Sequence, residues 1–275
     1  MNKSFSNKCL ILDLDETCFH TYKYMSQLKD LNILNDPKYM DLRKRVYILN
    51  MKDINGNGDG TNHQLWGIMR PGLRSFLKFC LNYFNKVIVW SAGVKSYVEA
   101  AVEYIFRGLP KPFAVFSRRD CLNEGTNEYP MYTKPIYHLI EKNPYLSEYI
   151  NMKNTYIIDD RVDYVKHNYT NGIIIPPYNP SLNIESMRSE DYALANIMKW
   201  LLQNKNTNDV KLTRKNDIFI SGDDICDFIS TADIYYFNPE LAIIKDIKEY
   251  CNNQIVKSTV NNFVFNPIFS QITAP

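Results

Sequence analysis

Two pairs of carboxylates directly follow short apolar runs of the sequence. Asp13 is the last residue of the run KCLILD, and Asp15 lies two residues further on. Asp159 and Asp160 directly follow the run TYII. A carboxylate held at the end of a buried strand can attack phosphorus, and a neighbouring acid can first protonate the leaving oxygen and then activate water. The spacing therefore favours a site for phosphoryl chemistry.

The two acidic pairs would converge if both strands belong to one parallel sheet. Such a concentration of negative charge needs a cation, and oxygen ligands suit Mg²⁺, which binds through one or two carboxylates plus substrate phosphate and keeps several waters. We therefore expect a magnesium site. The alternative is that Asp159 and Asp160 are solvated and only cap a loop, with Asp163 beside them.

Two further candidates are less specific. Ser91, Ala92 and Gly93 follow the run KVIVW and precede a helical pattern. A hydroxyl and free backbone amides at a helix start form an anion site, although Ser91 serves equally well as an ordinary helix cap. Lys134 is one of 32 lysines and arginines, and its local sequence indicates only a solvated surface charge.

The elements that must position these residues alternate along the chain. Helical spacing of apolar residues predicts helices over Leu73–Tyr83 and Val94–Phe106. Five apolar runs read as buried strands, namely Lys8–Asp13, Lys86–Trp90, Phe113–Phe116, Thr155–Ile158 and Gly172–Ile175. This alternation predicts an α/β fold, a parallel sheet flanked by helices, in which ligands bind beyond the carboxyl ends of the strands.

Two stretches depart from the alternation. Residues 24–62 begin polar and possibly helical and include the run NGNGDG at 55–60, which predicts a turn or loop. An amphipathic helix is predicted over Arg188–Gln203, followed by the polar linker NKNTND at 204–209. We therefore divide the chain into a catalytic domain at 1–203, with an insertion at about 24–62, and a C-terminal extension at 204–275.

The composition excludes several classes of protein. The net charge of +2 argues against a general binder of polyanions, which needs a strongly basic surface. The six cysteines form no CxxC pair and no zinc site with histidine, so reduced thiols in an intracellular compartment are expected. We find no secretory signal and no run of about 20 apolar residues, so the expectation is a soluble intracellular protein, in cytoplasm or nucleus, without a membrane partner.

The order of motifs DLDET, RPGL, a strand ending in WSA, a lysine and IDDR resembles the haloacid dehalogenase superfamily. More narrowly, the chain is similar to phosphatases that act on the C-terminal repeat domain of RNA polymerase II and to their small relatives, the nuclear-LIM-interactor-like factors. The features of that branch are His20, RPGL at 70–73 and FSRRDC at 116–121. The similarity runs from about residue 8 to residue 203 and implies a Rossmann-like fold.

That resemblance implies roles for the candidate residues. Asp13 would be the nucleophile that forms an aspartyl-phosphate, and Asp15 would act as general acid and then as general base. Ser91 would hold a phosphoryl oxygen, and Lys134 would neutralise the phosphate and position Asp13. Substrate contacts are expected from Thr17, Ala92 and Arg118.

The resemblance also implies the ligands of the metal. Mg²⁺ would lie between the Asp13 carboxylate, the Asp15 backbone carbonyl and the pair Asp159 and Asp160, with Asp160 the more direct ligand. The chain departs from the small relatives, which usually carry Thr in place of Ser91 and LDN in place of IDD. In Asp160 it agrees better with the larger polymerase-tail phosphatase.

The expected function is hydrolysis of phosphoserine or phosphothreonine in a phosphoprotein or phosphopeptide, with the polymerase tail as the model substrate. Two alternatives stay open at the level of sequence. A nucleic-acid end phosphatase is one, although the near-neutral charge gives no support to a nucleic acid partner. The other is a scaffold that keeps the fold and binds partners without catalysis.

Overall fold

Five parallel strands form the central sheet, as the alternating pattern predicts. In the computed structural model, which describes residues 6–52 and 62–219, the strand order is β10-β9-β1-β5-β6. The strands are β1 (Cys9–Leu12), β5 (Lys86–Trp90), β6 (Ala114–Phe116), β9 (Thr155–Asp159) and β10 (Gly172–Ile174). The predicted α/β fold class is confirmed, and β1 lies in the middle of the sheet between β9 and β5.

Apolar side chains cover both faces of this sheet. Along β1, Leu10 and Leu12 belong to one core and Cys9 and Ile11 to another, because successive side chains of a strand point to opposite faces. The first core is covered by α3 (Leu73–Tyr83), α4 (Lys95–Ile105) and α8 (Ala193–Gln203), and the second by α5 (Ile136–Lys142) and α6 (Val162–Val165). Burial on both faces explains the unbroken apolar runs in the sequence.

A second, antiparallel sheet, which we call the inserted sheet, is formed by one strand within the predicted insertion and by the strands that flank it, and the sequence did not predict it. Its strands are β2 (Phe19–Tyr22), β3 (Val46–Lys52) and β4 (Asn62–Met69), in the order β2-β4-β3. The short helices α1 (Met25–Asp30) and α2 (Met40–Arg43) precede β3 and pack with the sheet in a third apolar core. A short hairpin, β7 (Leu122–Asn123) with β8 (Tyr132–Thr133), completes the strands of the described residues.

The structure corrects two predictions at helix ends. The helix predicted over Arg188–Gln203 is shorter, since α8 begins only at Ala193, and Arg188 is the last residue of a separate helix, α7 (Ile184–Arg188), after which the chain turns extended at Ser189. Ser91 is not the cap of α4, which begins at Lys95 with Val94 as its N-cap residue. The helix predicted over 73–83 is confirmed at both ends.

The chain after α8 continues to pack on the sheet. Val210 and Ile218, in two short 3-10 helices (Val210–Leu212 and Lys215–Phe219), are buried in the first core. The described start of the predicted C-terminal extension is therefore continuous with the packing of the catalytic domain.

Several predictions fall outside the described residues, among them the glycine-rich run at 55–60, the rest of the extension from 220, and Cys226 and Cys251. The four described cysteines are buried and free, as expected for reduced thiols. No helix within 6–52 and 62–219 has the length and apolar character needed to cross a bilayer.

Candidate functional site

The sheet order brings three candidate groups to one edge. Asp13 follows β1, Asp159 ends β9 and Ser91 follows β5, and these three strands are neighbours. The Asp13 amide donates to the carbonyl of Ile158 at 3.0 Å, so the nucleophile candidate is fixed to the adjacent strand. The predicted convergence of the acids is therefore present in the structure.

The chain turns sharply directly after β1. Glu16 has a φ of 56°, in the left-handed region that residues other than glycine seldom adopt, and the Cys18 amide closes the turn on the Leu14 carbonyl at 2.7 Å. Glu16 also accepts a hydrogen bond from His20 Nδ1 at 3.0 Å. This turn puts Asp13 and Asp15 on the same side of the strand end.

Lys134 is buried, not solvated as its local sequence indicates. Its ammonium lies 2.5 Å from Asp13 Oδ1 and 2.7 Å from Asp159 Oδ2, with 1% of the side chain exposed. It follows the short strand β8, and its own amide donates to the Tyr164 carbonyl at 2.8 Å. Asn168, a residue that the sequence gave no reason to select, donates to the Lys134 carbonyl at 2.7 Å.

The charges of this cluster shift one another's pKa. Burial alone lowers the pKa of Lys134, but the negative charges and hydrogen bonds of Asp13 and Asp159 outweigh it, so the pKa lies above its ordinary value. Burial raises the pKa of Asp13 well above its ordinary value, while the charge of Lys134 opposes that rise. Burial and the charge of Asp159 raise the pKa of Asp160 to about 6.

The acidic cluster fits a divalent cation. Asp13, Asp159 and Asp160 each offer an oxygen, and these atoms lie within 4.8 Å of one another. Asp159 already accepts from Lys134 on Oδ2 and from the Arg161 amide on Oδ1 at 2.9 Å, which leaves Asp160 less committed. Three carboxylates facing one lysine, with all-oxygen donors, match the preference of Mg²⁺.

Asp15 is held by Ser91, which follows β5, and by a residue of α4. Its Oδ2 accepts from Ser91 Oγ at 3.4 Å, and its Oδ1 accepts a short hydrogen bond from the hydroxyl of Tyr97 on α4. Burial raises the pKa of Asp15, and the Tyr97 hydrogen bond opposes this. Tyr97 was not a site candidate, because the helical pattern of α4 counts it among the apolar residues.

The segment from Ser91 to Gly93 forms a tight turn. Ser91 Oγ accepts from the Gly93 amide at 3.0 Å, and the side chain is buried. The exposed Arg118 holds this turn from outside, since its Nε donates to the Ala92 carbonyl at 2.7 Å and its amide to the Gly93 carbonyl at 2.9 Å. Ser91, Ala92 and Arg118 therefore come together at the edge that carries Asp15.

Thr17 has a different position from the other candidates. Its side chain is fully buried, and its Oγ1 has no hydrogen-bonding partner among the described residues. The Thr17 carbonyl accepts from Arg70, whose guanidinium also pairs with Asp191 at 3.0 Å. Arg70, in the RPGL motif, thus holds the turn after β1 from behind the site.

Comparison with known families gives one match over most of the chain. Residues 8–216 match the family model described as NLI interacting factor-like phosphatase. No curated protein matches the chain in sequence.

Among solved structures, the chain is similar to two structures of the RNA polymerase II CTD phosphatase Fcp1. One, from fission yeast, is a variant bound to beryllium fluoride, with 17% identity and a TM-score of 0.49 over 96% of this chain and 69% of that one. The other has 18% identity and a TM-score of 0.48 over 92% of this chain and 64% of that one. The chain thus spans about two thirds of the length of these structures.

Proposed function

Because the chain belongs to the NLI interacting factor-like phosphatase family, we propose that it removes a phosphoryl group from its substrate by way of an aspartyl-phosphate on Asp13. The predicted resemblance to this branch of the haloacid dehalogenase superfamily is confirmed by the family match. Membership supports a phosphatase, and the identity of the nucleophile, the metal and the substrate are our proposals.

The observation that carries the proposal is the buried ion pair between Asp13 and Lys134 at 2.5 Å. A lysine that lies against the nucleophile favours its ionised form, against the effect of burial, and can neutralise an incoming phosphoryl oxygen. A cluster that served only the fold would gain little from such a pair, because burial of the charges costs about as much as their attraction returns.

In the first step, an Asp13 oxygen attacks phosphorus, the bond from phosphorus to the ester oxygen breaks, and Asp15 gives its proton to that oxygen. In the second step, Asp15 takes a proton from water, and the resulting hydroxide attacks the phosphorus of the aspartyl-phosphate. The bond to Asp13 then breaks, and inorganic phosphate leaves. Ser91 would turn its hydroxyl from Asp15 Oδ2, 3.4 Å away, to a phosphoryl oxygen, and the Ala92 amide of the same turn would donate beside it.

Asp13, Asp160 and Asp159 are the side chains that would hold Mg²⁺, and the Asp15 carbonyl is the further ligand expected from sequence. When bound, the ion would neutralise charge on the phosphoryl oxygens. Lys134, which is paired with Asp13, would supply the same kind of charge.

We propose phosphoserine or phosphothreonine in a protein as the substrate, in keeping with the chemistry of the family. The retained set of Asp13, Asp15, Lys134 and Asp160 speaks against the scaffold alternative, since a scaffold has no need of a nucleophile. The near-neutral net charge of +2 gives no support to a nucleic acid substrate.

The test is Mg²⁺-dependent hydrolysis of p-nitrophenyl phosphate, of phosphopeptides and of a 3′-phosphorylated oligonucleotide. We expect the wild type to prefer a phosphopeptide and Asp13→Asn to be inactive on all three. The matched control is Asp163→Asn, because Asp163 is an exposed carboxylate of the same strand-end region and should leave the rates unchanged. Equal rates for wild type and Asp13→Asn would remove the claim, and a preference for the oligonucleotide would replace the proposed substrate.

A further inference from the structure

The hydroxyl of Tyr97 takes no part in the bond making and breaking of the proposed reaction, but it donates a hydrogen bond to Asp15, the proposed general acid and base. Tyr97 reaches from α4 to Asp15 Oδ1, and 8% of the residue is exposed. The other oxygen of this carboxylate, Asp15 Oδ2, lies 3.4 Å from the hydroxyl oxygen of Ser91. With Oδ1 engaged by Tyr97, the orientation of Asp15 is fixed and Oδ2 faces the place proposed for the phosphoryl group.

Tyr97 is itself supported by two more hydroxyls. Thr21 Oγ1 lies 2.7 Å from the Tyr97 hydroxyl and 2.6 Å from the Tyr47 hydroxyl. Asp15 Oδ1 accepts both in the carboxylate and in the acid that carries its proton on Oδ2, so Tyr97 donates to Asp15, the Tyr97 oxygen accepts from Thr21, and Thr21 in turn accepts from Tyr47. We call Tyr97, Thr21 and Tyr47 the hydroxyl chain.

The backbone of the inserted sheet is shaped to admit this chain. Tyr47 stands on β3 and Thr21 on β2, and the Tyr47 ring crosses the central strand β4 at Gly67. A Cβ on Gly67 would lie 2.3 Å from the Tyr47 hydroxyl and 2.3 Å from the His20 carbonyl. Only glycine leaves room for the ring, and this permits the tyrosine to reach Thr21.

We propose that Tyr97 is a positioning residue for the proton transfer by Asp15, and that Thr21 and Tyr47 of the inserted sheet hold it in place. This inference rests on the proposed function. Tyr97 touches no reacting atom and acts through Asp15, whose carboxyl must be aimed at the leaving oxygen when the bond to phosphorus breaks. The inserted sheet thereby contributes to catalysis through the position of Asp15.

The role predicts a dependence on the leaving group that a loss of folding would not produce. The serine alkoxide is a poor leaving group and needs the proton of Asp15, whereas p-nitrophenolate leaves as a stable anion. The ratio kcat/KM reports the steps through release of the leaving group, so misplacement of Asp15 lowers it chiefly for phosphoserine. For Tyr97→Phe, we expect a fall of about 10- to 100-fold on a phosphoserine peptide, within the range of general acid catalysis, and at most about threefold on p-nitrophenyl phosphate.

Two controls separate positioning from packing. Tyr104→Phe removes a tyrosine hydroxyl of the same helix, one that donates to the Val46 carbonyl at 3.2 Å and lies outside the hydroxyl chain. It should change neither ratio. Thr21→Val keeps the Tyr97 ring in place and removes its support, so it should show a smaller loss with the same preference for the peptide.

A double variant tests whether Tyr97 acts through Asp15. Adding Tyr97→Phe to Asp15→Asn should cause no further loss, because the group to be aimed is already absent. Equal losses of Tyr97→Phe on both substrates, or no loss on the peptide, would overturn the inference. These outcomes differ from failure of the proposed function, in which Asp13→Asn itself would stay active.

Discussion

The ammonium of Lys134 and the carboxylate of Asp159 lie 2.7 Å apart, and almost none of either side chain reaches the surface. Asp159 also accepts from the Arg161 amide, so both of its oxygens are engaged within the protein. Its first task is thus to hold Lys134 against Asp13. The predictions below separate this structural task from the binding of the metal and from the support of the site.

Replacement of Lys134 should damage both stability and activity. Lys134→Met leaves Asp13 and Asp159 buried without a positive partner, and breaking a buried pair costs about 3–5 kcal/mol of unfolding free energy. We expect phosphatase activity to fall by about 100-fold or more, because the charge beside the phosphoryl group is lost. Urea unfolding and phosphopeptide hydrolysis measure the two effects.

The matched control for that variant is Lys38→Met. Lys38 forms an exposed ion pair with Asp36 at 3.0 Å, and exposed pairs contribute little to stability because water screens their charges. A Lys134→Met protein as stable as this control would contradict the role assigned to the buried pair.

Asp160 and Asp159 should differ in their effect on the metal. Asp160→Asn removes the less committed oxygen donor and should raise the Mg²⁺ concentration for half-maximal activity by about 10-fold or more, as changes at metal shells do. Asp159→Asn should instead lower the unfolding free energy, since it frees Lys134 from one partner. Titration of activity with Mg²⁺, beside urea unfolding of the metal-free proteins, distinguishes them. If Asp160→Asn needed no more Mg²⁺ than wild type, Asp160 would not be a ligand.

Substitution at Gly67 should destabilise the inserted sheet. Gly67→Ala places a methyl group in the space of the Tyr47 ring, and overpacking of this kind costs about 1–3 kcal/mol. His63→Ala, an exposed position on the same strand, serves as the comparison and should shift the unfolding free energy by no more than about 0.5 kcal/mol. Equal stability of the two variants would show that the ring has room to move.

Lys215 should make the stability depend on pH above neutrality. Its ammonium donates to the Val210 carbonyl at 2.6 Å, and burial lowers its pKa from 10.5 to about 8. Between these two values the unfolded chain binds more protons than the folded one, so the unfolding free energy rises with pH. The penalty for the buried charge is fully present below about pH 8 and is relieved towards pH 10.5.

Urea unfolding at several pH values in this window, for wild type and Lys215→Met, isolates that effect. We expect wild type to gain stability relative to the variant as the pH rises. Parallel curves for the two proteins would mean that Lys215 titrates at its ordinary pKa in the folded state.

The sequence predicts the part of the site that depends on local pattern. Strands that are buried on both faces of a parallel sheet appear in the sequence as unbroken apolar runs. Asp13 and Asp159 could be selected because they stand at the ends of two such runs. Lys134 could not be selected from its surroundings, since its partners lie at the ends of β1 and β9 and the strand before it has only two residues. Only the resemblance to the family pointed to it.

The local sequence pattern did not predict the inserted sheet or the contact of Tyr97 with the site. The strands β3 and β4 are neighbours along the chain, but β2 pairs with β4 across α1, α2 and β3, and no local pattern indicates that pairing. Tyr97 fits the apolar face of α4, and helical periodicity does not show that its hydroxyl contacts Asp15, which follows β1. The sequence analysis therefore counted Tyr97 as an apolar residue and did not select it for the site.

The distances along the chain between these partners set the order in which the protein becomes competent. Asp13 and Lys134 are 121 residues apart, and Asp15 and Tyr97 are 82 residues apart. Contacts of such long range form late, because the intervening chain must first be closed into a loop. As the ribosome makes the protein, Asp13 therefore emerges early and stays without Lys134 until β1, β5 and β6 have been synthesised, and the buried pair cannot form in any shorter chain.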